Sequence, residues 1–152
     1  MKILVCTDGS EQSQKALEKA AVIAEGCNVD EVAIIYVYED KLDFSPLRHN
    51  GESTITEEDI ERFRKLNEEH KEERKKILSE ALKIFEGKNI TTRTIFEEGH
   101  PAHTIVNIGC DEGFDMIVVG SRGRGGLKKA FLGSVSSAVV QEAKNCSVLT
   151  VK

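Results

Sequence analysis

The chain reads as an α/β domain: a single doubly wound sheet of five parallel strands, order 3-2-1-4-5, with helices on both faces. Three observations carry this. Strand-like and helix-like segments alternate from residue 2 to residue 151. The strand segments are short, unbroken apolar runs, as befits strands covered on both sides. A glycine-rich stretch follows one of these runs and opens a helix. That puts a loop beyond the carboxyl end of a strand, where such sheets hold ligands.

Each element follows from local pattern. Lys2 to Cys6 is the first strand, and Asp8-Gly9-Ser10-Glu11 turns the chain into a helix from about Gln12 to Glu25. There Ala16, Leu17, Ala20, Ala21 and Ile23 recur at helical spacing, and Gly26 is the expected C-cap. Val32 to Tyr38 is a second buried strand; residues 39–56 lack periodicity, contain Pro46 and Gly51, and read as a long loop. A charged helix follows from about Glu57 to Glu86, with Ile60, Phe63, Leu66, Ile77, Ala81, Ile84 and Phe85 as a narrow apolar stripe. Its other faces are solvated, so the charge run needs no partner. Ile90 to Glu97 alternates as the third strand, Pro101 to Cys110 is a short helix, and Asp115 to Val119 is the fourth strand. Val135 to Ala143 is the last helix, and Cys146 to Val151 the fifth strand. Right-handed crossovers then place the reversal of winding between strands 1 and 4. Thr7-Asp8 ends strand 1 and the glycine stretch follows strand 4, so both converge on one crevice.

A length of 152 residues suits a single domain, and 39% hydrophobic with 31% charged residues suits a water-soluble core and surface. No apolar run approaches the roughly 20 residues of a membrane span, and the opening Met1-Lys-Ile-Leu-Val-Cys6 is too short for a signal peptide. With 21 basic and 26 acidic residues the net charge is −5, which argues against nucleic-acid binding. Cys6, Cys27, Cys110 and Cys146 show no CxxC or other metal spacing and read as buried thiols in a reducing cytoplasm. His100 and His103 share one helix face but have no third ligand near them in sequence, and His49 and His70 read as solvent-facing.

The glycine stretch carries the chemistry. Gly120, Gly123, Gly125, Gly126 and Gly133 are five of the chain's 12 glycines, and Arg122, Arg124, Lys128 and Lys129 lie among them without an acid. Glycines let backbone N–H groups approach an anion, and a helix N-terminus favours negative charge. Gly120 lets the chain leave the strand close to a ribose or phosphate, Gly123 turns it, and Gly133-Ser134 offers N–H groups and a hydroxyl at the helix start. A glycine-rich surface turn with Ser134 as a plain N-cap remains the alternative, and Asp8 alone reads as a helix cap or turn acid. Neither GxxxxGK[ST] nor GxGxxG after strand 1 is present, so a P-loop and a dinucleotide fingerprint are both excluded.

Gly120-x2-Gly123-x9-Gly133-Ser134 resembles the ATP-binding signature of the universal stress protein family. The likeness extends over nearly the whole chain. Lys2-Ile-Leu-Val, Thr7-Asp8-Gly9-Ser10-Glu11, Gly99-His100-Pro101-Ala102, Asp115-Met-Ile-Val-Val and Val148-Leu-Thr-Val151 all resemble family motifs in order. The resemblance implies that Asp8, with the Cys6-Thr7 backbone, contacts adenine and ribose, and that Val37 lines the adenine pocket. Gly120, Gly123, Gly133, Ser134 and Val135 would hold ribose and phosphates, with Arg122 beside them. It implies ATP (or AMP or ADP) as ligand, Mg²⁺ or Mn²⁺ arriving with the nucleotide, and a homodimer through the last strand. Cys6 stands where the family commonly has proline or a small residue, and Ser147 where it frequently has proline.

The expected function is a nucleotide-dependent regulator or switch in a stress response, acting on a protein partner that the sequence does not name. No residue pattern supplies a general base, so any ATP hydrolysis should be slow. A true ATPase or phosphotransferase using the same pocket, and a dimeric interaction module without nucleotide, are the rival readings.

Overall fold

The computed structural model describes residues 1–39, 56–123 and 132–152. Five strands and four helices alternate as β1 (Lys2–Cys6), α1 (Glu11–Gly26), β2 (Glu31–Tyr38), α2 (Glu57–Lys83), β3 (Thr91–Glu98), α3 (Pro101–Asp111), β4 (Met116–Gly120), α4 (Ser134–Glu142) and β5 (Ser147–Val151). The sheet order is β3-β2-β1-β4-β5 and each pairing is parallel, as the sequence predicts. β1 lies at the centre, Val5 pairing with Ile34 on one side and Val118 on the other.

Side-chain alternation splits the core into two layers. Ile3, Val5, Val32, Ile34 and Val118 pack under α1 and α2 with Leu17, Leu78 and Phe85. Leu4, Cys6, Ala33, Ile35, Ile117 and Val119 face α3 and α4 with Ile105, Val106 and Val139. Both faces of the central strands are therefore dry, which is why they read as unbroken apolar runs.

Several boundaries differ from expectation for visible reasons. α1 ends on Gly26 and its cap is Cys27, whose N–H donates to the Ile23 carbonyl at 2.9 Å. α2 stops at Lys83, although Phe85 in the turn beyond it is still buried. Only Leu78 and Ala81 of α2 are buried, while Ile60 and Leu66 of the expected stripe are exposed. At 1.5 Å per residue α2 runs to about 40 Å, well past the roughly 26 Å of an eight-residue strand, so its first half overshoots the sheet. The predicted loop around Pro46 and Gly51, with His49, lies outside the described residues.

The cysteine expectation holds at one position only. Cys6 is buried, Cys146 is half-buried and lies just before β5, and Cys27 and Cys110 are exposed. Both exposed thiols sit at helix ends, where a predicted element says little about cover.

At the amino ends of the strands, Arg93 Nε donates to Glu31 Oε1 at 2.5 Å, its NH2 group bonds Glu112, and Lys2 Nζ stands 3.7 Å from Glu31 Oε2. The Arg93 hydrogen bond, against a smaller burial effect, holds the Glu31 carboxyl below the usual carboxylate range. A depressed carboxylate stabilises the fold at neutral pH and loses that contribution as pH falls through its folded pKa. Urea midpoints should therefore fall below about pH 4, and Glu31→Gln should remove up to about 1 kcal/mol of that pH dependence. A Glu31→Gln profile that parallels the parent would rule the pair out as a contributor.

Candidate functional site

The turn after β1 is built from short polar side chains. Thr7 N–H donates to the Ile35 carbonyl at 2.9 Å, carrying the strand one residue further. Gly9 N–H donates to Thr7 Oγ1 at 3.2 Å and Ser10 N–H to Asp8 Oδ1 at 3.0 Å, which closes the turn. Ser10, not Asp8, caps α1, its hydroxyl accepting from Ser13 N–H at 3.2 Å. The second carboxylate oxygen of Asp8 faces the other loop: a Cβ on Gly123 would lie 2.6 Å from Asp8 Oδ2. Glycine at 123 thus lets the two loops touch.

The glycine at 120 has a different cause. A Cβ there would stand 2.8 Å from the Gln12 carbonyl carbon and 2.9 Å from Ser13 N. The first turn of α1 lies directly on the end of β4, so the missing side chain is explained by helix packing as well as by any ligand. Gly133 departs from expectation too. Its N–H is committed to the Ser121 carbonyl at 2.7 Å, so it does not face an anion. Gly133 is instead the N-cap residue of α4, and Ser134 the first residue of the helix, with no side-chain cap. The N–H groups of Ser134, Val135 and Ser136, the first three of α4, have no protein acceptor among the described residues. Ser136 is buried, its hydroxyl donating to the carbonyls of Ser121 (2.9 Å) and Gly133 (3.1 Å), which ties the helix start to the β4 exit.

These pieces enclose a cavity of about 540 Å³, within the range of roughly 300–1,000 Å³ typical of small-molecule sites. All ten residues singled out from sequence line it: Cys6, Thr7, Asp8, Val37, Gly120, Arg122, Gly123, Gly133, Ser134 and Val135. Ile35, Pro101, Ile105, Val119, Leu132, Ser13 and Ser136 also line it and were missed. Period-two alternation from Val37 points to Ile35, and helical spacing from Pro101 points to Ile105; neither signal belongs to a motif. The result is an apolar slot whose polar groups come from the two loops and the first turns of α1 and α4.

Its electrostatics are simple. Burial, reinforced by the charge of Asp8, pushes the Cys6 thiol far up, so it stays neutral and inert. Glu11 is held low chiefly by its 2.9 Å ion pair with Lys15, and more weakly by Arg122. Among the described residues Asp8 is the one carboxylate of the lining. Arg124, Lys128 and Lys129 lie outside the described residues. No group of three His, Cys, Asp or Glu able to hold a metal occurs among the described residues. His103 pairs with Asn107 at 3.1 Å, and neither His100 nor His103 lines the cavity.

Comparison with known proteins agrees with this architecture. The sequence model of the universal stress protein family matches residues 1–152. The chain is 38% identical over 151 residues to universal stress protein YxiE of Bacillus subtilis, covering 99% of this chain and 98% of that one. The solved structure of MJ0577, a protein of Methanocaldococcus jannaschii, superposes with a TM-score of 0.70 at 31% identity, covering 99% of this chain and 94% of the other. A universal stress protein from Archaeoglobus fulgidus, solved in complex with dAMP, shares the fold at 22% identity and a TM-score of 0.65, over 100% and 98% of the two chains. Among the described residues no helix is long and apolar enough to cross a membrane.

Proposed function

The chain belongs to the universal stress protein family, and on that premise we propose that it binds an adenine nucleotide, ATP or else AMP or ADP, and acts as a nucleotide-dependent switch. The observation that carries this is the pairing, in one cavity, of an apolar slot with an uncapped helix N-terminus. A flat aromatic base suits a slot of Ile35, Val37 and Ile105. Phosphates suit the amides of Ser134, Val135 and Ser136 at the positive end of the α4 dipole. Asp8, at the junction of the loops, is placed to accept from ribose hydroxyls, as acidic residues do in other nucleotide sites. The dAMP complex of the Archaeoglobus relative supports the choice of base.

Asp8 alone forms no cation cage, so Mg²⁺ or Mn²⁺ would be held by the nucleotide's own phosphates, with Asp8 the carboxylate available to it among the described lining residues. Neutral Cys6 offers no nucleophile, and among the described residues no lining residue is a histidine or a second acid to activate water. Purified protein should therefore turn ATP over far below the roughly 10 s⁻¹ of a typical enzyme. Fast metal-dependent phosphate release, lost in Asp8→Ala, would make it an ATPase instead. Mass spectrometry of nucleotide released from freshly purified protein, followed by calorimetric titration, tests the binding itself. An empty protein that binds no adenine nucleotide would favour the interaction-module reading.

We place the protein in the cytoplasm, where two exposed unpaired thiols persist, and assign it a homodimer through β5. That strand is an edge of the sheet and is only half-buried from Val148 to Val151. Pairing with its own copy across a two-fold axis would cover the edge. Light scattering should report twice the 16.8 kDa chain mass. Leu149→Pro, which removes a strand donor, should shift it toward monomer. A wild-type monomer at micromolar concentration would defeat the assignment.

A further inference from the structure

Two of the thiols, Cys110 and Cys146, lie at the end of the sheet opposite the cavity, one closing α3 and one just before β5. Cys110 lies on the last turn of α3, four residues beyond buried Val106, and its Sγ donates to the Lys144 carbonyl at 3.3 Å. Two residues after Lys144 comes Cys146. Between them Asn145 takes φ 59, in the left-handed region. Cys146 then packs in the α3/α4 layer beside Ala143 and Val148. Alternation along β5 keeps this side chain on the face where Cys110 sits, while Leu149 and Val151 face the α1/α2 layer.

We propose that Cys110 and Cys146 form a redox pair, oxidised by a hydroperoxide to an intramolecular disulfide that ties the end of α3 to the entry of β5. The exposure of the two thiols sets the order of events. The Cys110 thiolate attacks the terminal oxygen of the hydroperoxide; the O–O bond breaks and the alkoxide leaves, to be protonated to an alcohol. Cys110 is then a sulfenic acid. The sulfur of Cys146 attacks that sulfur, the S–O bond breaks, and the departing hydroxide takes up the Cys146 proton as water. Two thiols and one hydroperoxide have become a disulfide, an alcohol and water.

The remaining cysteines do not compete. Cys6 is buried in the cavity wall. Cys27 caps α1, on the opposite face of the sheet. Burial, and secondarily the charge of Cys110, push the Cys146 thiol up. The second step therefore quickens as pH rises toward that raised value. Asp111 and Glu112 follow Cys110 in sequence, and Glu142 at the end of α4 and Lys144 precede Cys146. With no third ligand in reach, the two sulfurs are not a metal site among the described residues.

The full-length protein should be treated with one equivalent of hydrogen peroxide, then analysed by thiol titration, non-reducing electrophoresis and peptide mapping. The expected result is loss of two of the four thiols, a single-chain species, and one peptide pair joined through Cys110 and Cys146, all reversed by dithiothreitol. Closing the loop should raise Tm by about 5–10 °C over the reduced protein. Cys110→Ser, a change at an exposed position that the fold tolerates, should abolish the bond and the Tm shift, and Cys146→Ser should do the same. Cys27→Ser should change neither. Disulfides between chains only, or Cys110 driven to sulfinic acid with Cys146 still a free thiol, would overturn the proposal.

Discussion

Gly120→Val is expected to unfold the protein or cost about 3 kcal/mol or more, the largest loss of any single change around the cavity. The first atom of the new side chain would already stand 2.8 Å from the Gln12 carbonyl carbon, 2.9 Å from its oxygen and 2.9 Å from Ser13 N. These are backbone atoms in the first turn of α1 and have no rotamer to escape into. Relief requires α1 to lift from β4 or β4 to slide. Lifting α1 strains the Ser10 cap and the 3.2 Å contact of the Thr7 and Ser13 hydroxyls. Sliding β4 breaks a strand paired on both sides, with Gly120 itself in register with Val151. Gly120→Ala should show most of the effect, because the clash is with Cβ. Gly26→Ala is the control: nothing lies within 4 Å of a Cβ there, and the change should be neutral or gain up to about 1 kcal/mol. Denaturant midpoints measure all three; a wild-type midpoint for Gly120→Val would refute this account of the helix–strand contact.

What the sequence revealed follows the range of the interactions involved. The strand order was legible because the runs of β1, β2 and β4 are apolar on both faces, and because handed crossovers leave few ways to arrange five strands. The site was legible because Thr7-Asp8 and the glycine stretch both follow strands that meet where the winding reverses. The cause of each glycine was not. Gly120 answers to Gln12, more than a hundred positions away, and Gly123 answers to Asp8. Composition shows a need for small residues there but not which neighbour imposes it. Ile35 and Ile105 escaped notice for a related reason. They look like ordinary core positions, and only the sheet's reversal exposes one side of each to a cavity. Exposure failed as a guide in the other direction at Ile60, Leu66, Cys27 and Cys110. Their local patterns are those of buried residues, but the helices carrying them run past the sheet or end at its rim.

Gly133→Val should weaken adenine-nucleotide binding at least tenfold, about 1.4 kcal/mol, while leaving the fold in place. At φ −72 the backbone is open to any residue. A Cβ would meet Arg122 Cα at 3.4 Å and the Ser121 carbonyl at 3.5 Å, contacts at ordinary packing distance. The N–H bond to Ser121 survives, since valine keeps the donor. Loss of glycine at the N-cap costs up to about 1 kcal/mol, so Tm should fall by no more than about 4 °C. The consequence for ligand is larger, because Gly133 lines the cavity directly before the amides of Ser134, Val135 and Ser136, which meet no acceptor among the described residues. Two added methyl groups would fill the space through which a phosphate oxygen must approach those donors. Alanine, with one carbon, should lose less. Calorimetric titration with ATP, alongside thermal melts of the same samples, separates this variant from Gly120→Val: one should lose ligand and keep its melt, the other should lose its melt. A folded Gly133→Val protein that binds ATP with parental affinity would place the phosphates away from α4 and remove the basis for the assigned site.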